Sequence, residues 1–294
     1  MTRARSFPLP SPRLTLPPMP RDLPSPVDIL LVHSSDLHID DATSAAKHTD
    51  GTAGLAAVLA AARGARADIV LLAGDTFDNN RVPAHVLDRA GRLLADAGRP
   101  VVILPGNHDP ALPDSVFIRG GLASIPNVAV LGITHDEAVG FPRHDLEIWG
   151  HAHRDYENMA PLRGPRARGT RWQIAVAHGH YEPPENLATP LRPSWLFSDD
   201  AIAGTEADYL ALGHWDRAVR VGNGVVPAYY SGSPELAQTV NVIRLTASGE
   251  VLVSREPLLF SREPPLFRHP RESGDPGRVG GAVPLGPRFR GDDE

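Results

Sequence analysis

Short apolar runs alternate with longer alanine-rich or amphipathic stretches through the middle of the chain. "DILLVHSSD", "DIVLLAGD" and "PVVILPGN" have the length of strands and are apolar on both faces, as strands buried inside a parallel sheet are. Between them, Gly51 to Ala67 is alanine-rich and reads as a helix. Pro83 to Gly98 also reads as a helix, with proline in its first turn. This β-α-β-α-β order predicts parallel strands with right-handed crossovers and helices laid over the sheet. The later runs "NVAVLG", "DLEIWG", "WQIAVAHG", "DYLALG", "VPAYYSG" and "TVNVIRL" have little helix between them. They predict a second, more antiparallel sheet. The expected sum is an α/β protein of two packed sheets with helices outside, and no repeat of solenoid type is visible.

Composition changes this picture at the two ends. Residues 1–26 hold eight prolines and are expected to form an extended, disordered arm. Residues 261–294 hold six glycines and six prolines among charges, too little apolar surface to offset ordering entropy, and are expected to be a disordered tail. Residues 27–260 remain as one domain. The net charge of −6 supplies no global basic field, so any bound nucleic acid would rely on metal ions or a local patch. The absence of cysteine excludes disulfides, thiolate zinc sites and cysteine nucleophiles. No apolar run approaches the roughly 18 residues of a membrane span, and no apolar leader core follows the N-terminal arginines. A cytoplasmic protein is expected.

The chemistry lies where the apolar runs end. Asp36 and His38 follow the first run, Asp75 the second, and Asn107 and His108 the third; His178 and His180, then His214 and Asp216, follow two later ones. In open α/β sheets ligands gather outside the carboxyl ends of the strands, so these side chains are expected on one rim. Oxygen and imidazole donors without sulfur suit Mn, Fe, Zn or Mg. Two ions about 3.5–4 Å apart need a bridging carboxylate, and Asp75 stands centrally. Asp36, His38 and Asp216 can serve one ion; Asn107, His178 and His214 can serve the other. Neutral Asn107 limits negative charge and leaves the site attractive to phosphate.

The series Asp36-Leu37-His38, Gly74-Asp75, Gly106-Asn107-His108-Asp109, His178 and Gly213-His214 resembles the signature of calcineurin-like metallophosphoesterases. "GDTFDNN" and "YYSGSPEL" are similar to segments of the SbcD-type DNA-repair exonuclease branch. The likeness runs from about Asp28 to Leu258. It implies a four-layer α/β-β/α sandwich and a phosphoesterase using two divalent metals, manganese first among them. It also implies that His108 approaches the scissile phosphate and protonates the leaving oxygen, with Asp109 holding the imidazole through its other ring nitrogen.

Two features depart from that pattern. Gly213-His214-Trp215-Asp216 carries aspartate where the family has a second histidine; Asp216 is a metal ligand of a harder kind or else an exposed turn residue. After "YYSGSPEL" only about one hairpin of structured sequence is expected, "VNVIRLTASGEVLVSREP", so the branch's capping domain is not expected here, which weakens the expectation of DNA ends and of an ATPase partner; self-association is left open. Asp78 and Asn79 contact substrate or cap a turn, and His180 supports a ligand, touches substrate or sits in a plain loop. "GHAHRDYE" mimics the ligand motif, but its His151 and His153 are expected at the pocket rim. Arg163, Arg166, Arg168 and Arg171 form a basic loop, solvated or touching a phosphate backbone, and Trp172 is expected in the core. The leading expectation is a phosphodiesterase or DNA nuclease. The alternatives are a phosphomonoesterase or small-molecule (cyclic nucleotide) phosphodiesterase, and a non-catalytic scaffold.

Overall fold

A computed structural model describes residues 27–41, 51–156, 159–183 and 195–260. The expected proline-rich arm (1–26) and tail (261–294) lie outside the described residues. In chain order the strands are β1 (Ile29–Ser34), β2 (Ile69–Ala73), β3 (Val101–Leu104), β4 (Val128–Val130), β5 (Ala138–Phe141), β6 (Leu146–Gly150) and β7 (Trp172–His178). A small ribbon of β8 (His180–Tyr181) and β9 (Leu196–Phe197) follows, then β10 (Tyr209–Gly213), β11 (Val219–Val221), β12 (Ala228–Tyr230), β13 (Thr239–Leu245) and β14 (Val251–Pro257). Two six-stranded sheets result, in the orders β14-β13-β1-β2-β3-β4 and β11-β12-β10-β7-β6-β5. Both are mixed, so the expected α/β architecture of two mixed sheets is observed.

The first sheet follows its sequence. β1 to β4 pair in parallel. Helices α1 (Ala53–Gly64) and α2 (Ala84–Ala95) occupy the predicted crossovers. α2 buries Val86, Leu87, Ala90 and Leu94, a single helical stripe, and Pro83 stands just before its first residue in an extended conformation. Alternation along the strands splits the core in two. Val32, Val70, Leu72 and Ile103 face the helices together with Leu55, Val58 and Leu87. Leu31, Ile69, Leu71 and Val102 face the other sheet and meet Ile148, Ile174, Val176 and Ala211 there. A third cluster, with Trp149, Ala175, Leu210, Leu212, Phe197 and Ile202, covers the far side of the second sheet.

The later strands differ from the expected arrangement in two ways. The second sheet is not chiefly antiparallel: β6, β7, β10 and β12 run parallel, and only the edge strands β5 and β11 are antiparallel. A parallel connection needs a crossover of a dozen or more residues but not a helix. Among the described residues the β6–β7 crossover holds no helix and the β7–β10 crossover only the five-residue helix Asp199–Ala203, which hides the parallel order from a search for long helices. β4, β13 and β14 also belong to the first sheet, where β13 lies antiparallel to β1. Parallel central strands in both sheets bring the carboxyl ends of β1, β2, β3, β7 and β10 to one edge.

Candidate metal centre

The backbone turns sharply where these strands end. Asp36, His38, Asp75 and His214 have φ of 55°, 44°, 48° and 103°. Such left-handed conformations cost roughly 1–3 kcal/mol each for residues other than glycine and persist only where the surroundings hold them. Here Asp36 N–H donates to Gly74 O and His38 N–H to Asp75 O, each at 3.1 Å. The turns of β1 and β2 are thus locked to one another.

The inner group is Asp36, Asp75 and His178, whose ligand atoms lie within 4.8 Å of one another. They are 4%, 2% and 0% exposed. Asp36 accepts from His214 N–H at 3.0 Å on both oxygens and from the Ser35 hydroxyl. Asp75 Oδ1 accepts from His108 N–H at 2.9 Å, and Oδ2 lies 3.1 Å from His178 Nε2. His178 Nδ1 donates across the sheets to Ala73 O at 2.9 Å, and Nε2 is 3.1 Å from Asn107 Oδ1. That donation fixes the proton on Nδ1. In neutral imidazole the Nε2 lone pair then points at two acceptor oxygens, an arrangement that only a proton or a cation on Nε2 relieves.

The charges record the same demand. Burial opposes ionisation of both partners, yet the Asp75 carboxylate beside it drives His178 up to about 9. Asp75 is held below the ordinary carboxylate range despite its burial, because His178 outweighs the desolvation, with His108 and His38 assisting. Asp36 is pushed up by burial and by Asp75, with His178 opposing. Glycines keep the space open. A Cβ on Gly74 would stand 2.0 Å from His178 Nδ1, and one on Gly106 2.1 Å from Asp75 Oδ1.

The outer group is His38, Asp78 and His108. His38 Nε2 lies 3.9 Å from Asp75 Oδ2, and its Nδ1 lies 3.3 Å from Asp78 Oδ1. The His38 and His108 rings meet edge to face at 4.7 Å. Asp78 therefore stands with the metal-ligand candidates rather than apart from them, a placement that "GDTFDNN" gave no reason to expect. Asn79 lies just beyond; its side chain caps the turn by accepting from Arg81 N–H at 2.7 Å.

Asp109 departs from its expected role. His108 Nδ1 donates to the backbone carbonyl of Asp78 at 2.8 Å, not to Asp109. The Asp109 carboxylate is fully buried and accepts from Phe77 N–H at 2.9 Å and Gly106 N–H at 2.7 Å. Burial and the nearby Asp75 raise it to about 7. It braces the loops that carry Asp75 and Asn107. Its carboxylate is occupied by the N–H groups of Phe77 and Gly106, which the sequence does not reveal.

The second sheet supplies the wall. His214 packs its ring on His178 at 5.4 Å and on Trp195 at 6.0 Å. Asp216 is exposed on the rim, outside both groups, and its backbone carbonyl accepts from Ser233 N–H. His180 Nδ1 accepts from Trp215 Nε1 at 3.0 Å. His151 and His153 are not rim residues: they are 8% and 0% exposed. His153 Nε2 donates to His178 O at 2.8 Å, and His151 pairs with Glu137 at 2.8 Å. His153 underpins the β7 end because the loop after β6 runs beneath it. Burial, and the charge on His178, lower its pKa to about 4. Arg166 and Arg168 pair with Glu147 and Asp208 at 3.0 and 2.9 Å. Asp208 precedes β10, which puts Arg168 at the end of the sheet away from the centre. Trp172 is buried, as expected. Ser35 and Ser231 join the two sheets at 2.8 Å between hydroxyls, a link that "YYSG" alone does not announce.

The donors fit divalent cations. Carboxylate, amide and imidazole atoms converge without sulfur, one imidazole tautomer is fixed by a backbone carbonyl, and glycines clear the approach. Two mixed sheets with such a cluster at their joined strand ends define a metal-dependent phosphoesterase. The sequence model described as Calcineurin-like phosphoesterase matches residues 29–217, and the chain belongs to that family. The chain is 25% identical over 244 residues to the SbcD component of the nuclease SbcCD of Escherichia coli strain K12, covering 69% of this chain and 60% of that protein. The same component from Escherichia coli O157:H7 matches equally. The chain thus spans about 60% of the length of these curated relatives. One solved structure, 15% identical, covers 80% of this chain and 100% of its own with a TM-score of 0.50, and shares the fold. The crystal structure of TT1561 of Thermus thermophilus is 12% identical over 78% of this chain and 98% of its own, with a TM-score of 0.49.

Proposed function

We propose that this phosphoesterase hydrolyses phosphodiester bonds with two divalent cations, manganese preferred, and that its substrates are DNA or nucleotides. The observation that carries the reading is the convergence of Asp36, Asp75, His178 and Asn107 Oδ1 at strand ends of two sheets, with Asp75 also reaching toward His38. Asp36, His38 and Asp75 would hold one ion. Asp75, Asn107, His178 and His214 would hold the other. When bound, the pair supplies charge neutralisation at the phosphoryl group and activation of the attacking water.

The chain's own groups do the rest. Asp75 sits between the inner and outer groups and fixes their spacing. His108 stands exposed beside them, and its Nδ1–H is held by the Asp78 carbonyl. That makes Nε2 the acid, and it has a proton to give the leaving oxygen only in the doubly protonated imidazolium form, which returns to the Nδ1–H tautomer afterwards. Asp109 positions the Asn107 loop through Gly106 N–H. The likeness to the SbcD component of a nuclease supports a nuclease reading. The net charge of −6 favours a second reading, a small diester such as a cyclic nucleotide, because a long polyanion would be repelled.

The test is a substrate panel with added manganese: bis-p-nitrophenyl phosphate, p-nitrophenyl phosphate, and linear duplex and single-stranded DNA. The reading expects the diester to turn over faster than the monoester and DNA to be shortened. Faster turnover of the monoester, with intact DNA, would contradict it.

A further inference from the structure

We infer that Trp215 and Arg217 form a stacking platform for the nucleobase of the phosphate ester, in the hollow that adjoins the metal centre. This deepens the proposed function and rests on it. The hollow has a volume of about 610 Å³ and is lined by His180, Glu182, His214, Trp215, Asp216 and Arg217 among others. That volume lies within the roughly 300–1,000 Å³ of small-molecule sites. His214 belongs to both regions: its ring packs on His178 on one side and on His180, at 5.9 Å, on the other.

The indole of Trp215 is held rigidly. One face stacks on Tyr230 with centroids 4.5 Å apart and planes 9° from parallel. Tyr230 is itself fixed, donating to Gly179 O at 2.7 Å and accepting from Tyr181 N–H at 2.9 Å. The indole Nε1–H donates to His180 Nδ1 at 3.0 Å, which settles the ring's orientation. Over the indole stands the exposed Arg217 guanidinium, 5.0 Å from the ring centroid. At 5.0 Å the guanidinium leaves no room for a ring beneath it, so a base takes the indole face that Arg217 covers, and the exposed Arg217 side chain swings out to lie over the base's other face. The ordering cost of the indole is already met by the fold, so its share of the stacking energy appears largely as affinity.

The edges of the hollow are polar in a way that suits a base. Because His180 Nδ1 accepts from the indole, its Nε2 carries the proton and is a donor; it lies 3.9 Å from Glu182 Oε2. The Glu182 and Asp216 carboxylates are acceptors for ring N–H and exocyclic amino groups. These carboxylates repel further phosphates, so the hollow suits a base rather than a continuing backbone. A platform here also gives Trp215 a role that the ligand motif around it does not require.

The test uses the full chain with manganese and compares adenosine 5′-monophosphate with ribose 5-phosphate by calorimetric titration. Aromatic stacking of about 1–3 kcal/mol per base predicts adenosine 5′-monophosphate binding roughly 5–150-fold tighter. Trp215→Leu should bring the two affinities together, while Trp215→Phe, which retains a ring, should keep most of the difference. If Trp215→Leu does not fold, Arg217→Ala gives a partial loss of the same ratio. Equal affinities in the unaltered protein, or equal weakening of both ligands by Trp215→Leu, would overturn the platform. A protein that shows the base preference yet hydrolyses no ester in the panel would sink the proposed function and leave the platform standing.

Discussion

The two groups of potential metal donors in this protein share Asp75 as a neighbour and differ in almost everything else. Asp36, Asp75 and His178 are buried, interlocked by backbone N–H and carbonyl groups, and charged against their surroundings. His38, Asp78 and His108 stand at the opening, with side chains of His38 and Asp78 30% and 41% exposed. The inner group has no hydrogen-bonding solution of its own without a proton or cation on His178 Nε2. The outer group is held mainly by one carbonyl, that of Asp78, on one imidazole. Burial therefore divides the labour: the inner group is built to retain charge, and the outer group to meet what enters from solvent.

The sharpest way to break this division is Asp75→Asn. It removes the one charge common to both groups. Changes among the outer hydrogen-bond partners of metal ligands cost 10–100-fold, and loss of the shared carboxylate is expected to exceed that in turnover, measured on the diester at saturating manganese. His108→Ala should lower the rate by roughly 10²–10⁴-fold, the usual worth of a positioned acid, while leaving metal content unchanged. Loss of metal along with rate would place His108 in the ligand set instead.

Gly74→Ala probes the space inside the inner group. Its φ of 89° and a Cβ only 2.0 Å from His178 Nδ1 leave no room for a methyl group. Overpacking costs about 1–3 kcal/mol, and the left-handed backbone adds strain, so the denaturation midpoint should fall. A Gly98→Ala control, also at positive φ but with nothing within 4 Å of the added Cβ, should lose less.

The smallest effect separates the groups by pH. His178 is raised from 6.5 to about 9 in the fold by Asp75. Its stabilising contribution is full below 6.5 and is lost as pH rises through 9. Chelator-treated protein should therefore melt at a lower temperature at about pH 9.5 than at about pH 6. Saturating manganese should flatten that dependence, because a cation replaces the proton on Nε2. A metal-free melting temperature that rises across that interval would contradict the account.

Much of this was legible beforehand, for physical reasons. β1, β2 and β3 are apolar on both faces, so their runs had to be buried strands, and helices between them fixed their polarity. The polar residues at their ends were visible because, although Asp and Asn favour any turn, an ordered set of Asp, His and Asn recurs directly after one buried strand after another. The second sheet was harder. Among the described residues its parallel crossovers carry no long helix, and so leave little helical periodicity to read. Asp109 and His153 show a different limit. Both are hydrogen-bonded to backbone groups distant in sequence, Phe77 N–H and His178 O, and such partners exist only once the chain has folded.

The central claim is that Asp75 serves two cations at once. The most direct measurement is elemental analysis after equilibrium dialysis against manganese, made on the unaltered protein and on Asp75→Asn. The account predicts two ions per chain in the first and a loss of both in the second. A chain that retains no manganese, or an Asp75→Asn protein that retains as much as the unaltered one, would contradict it.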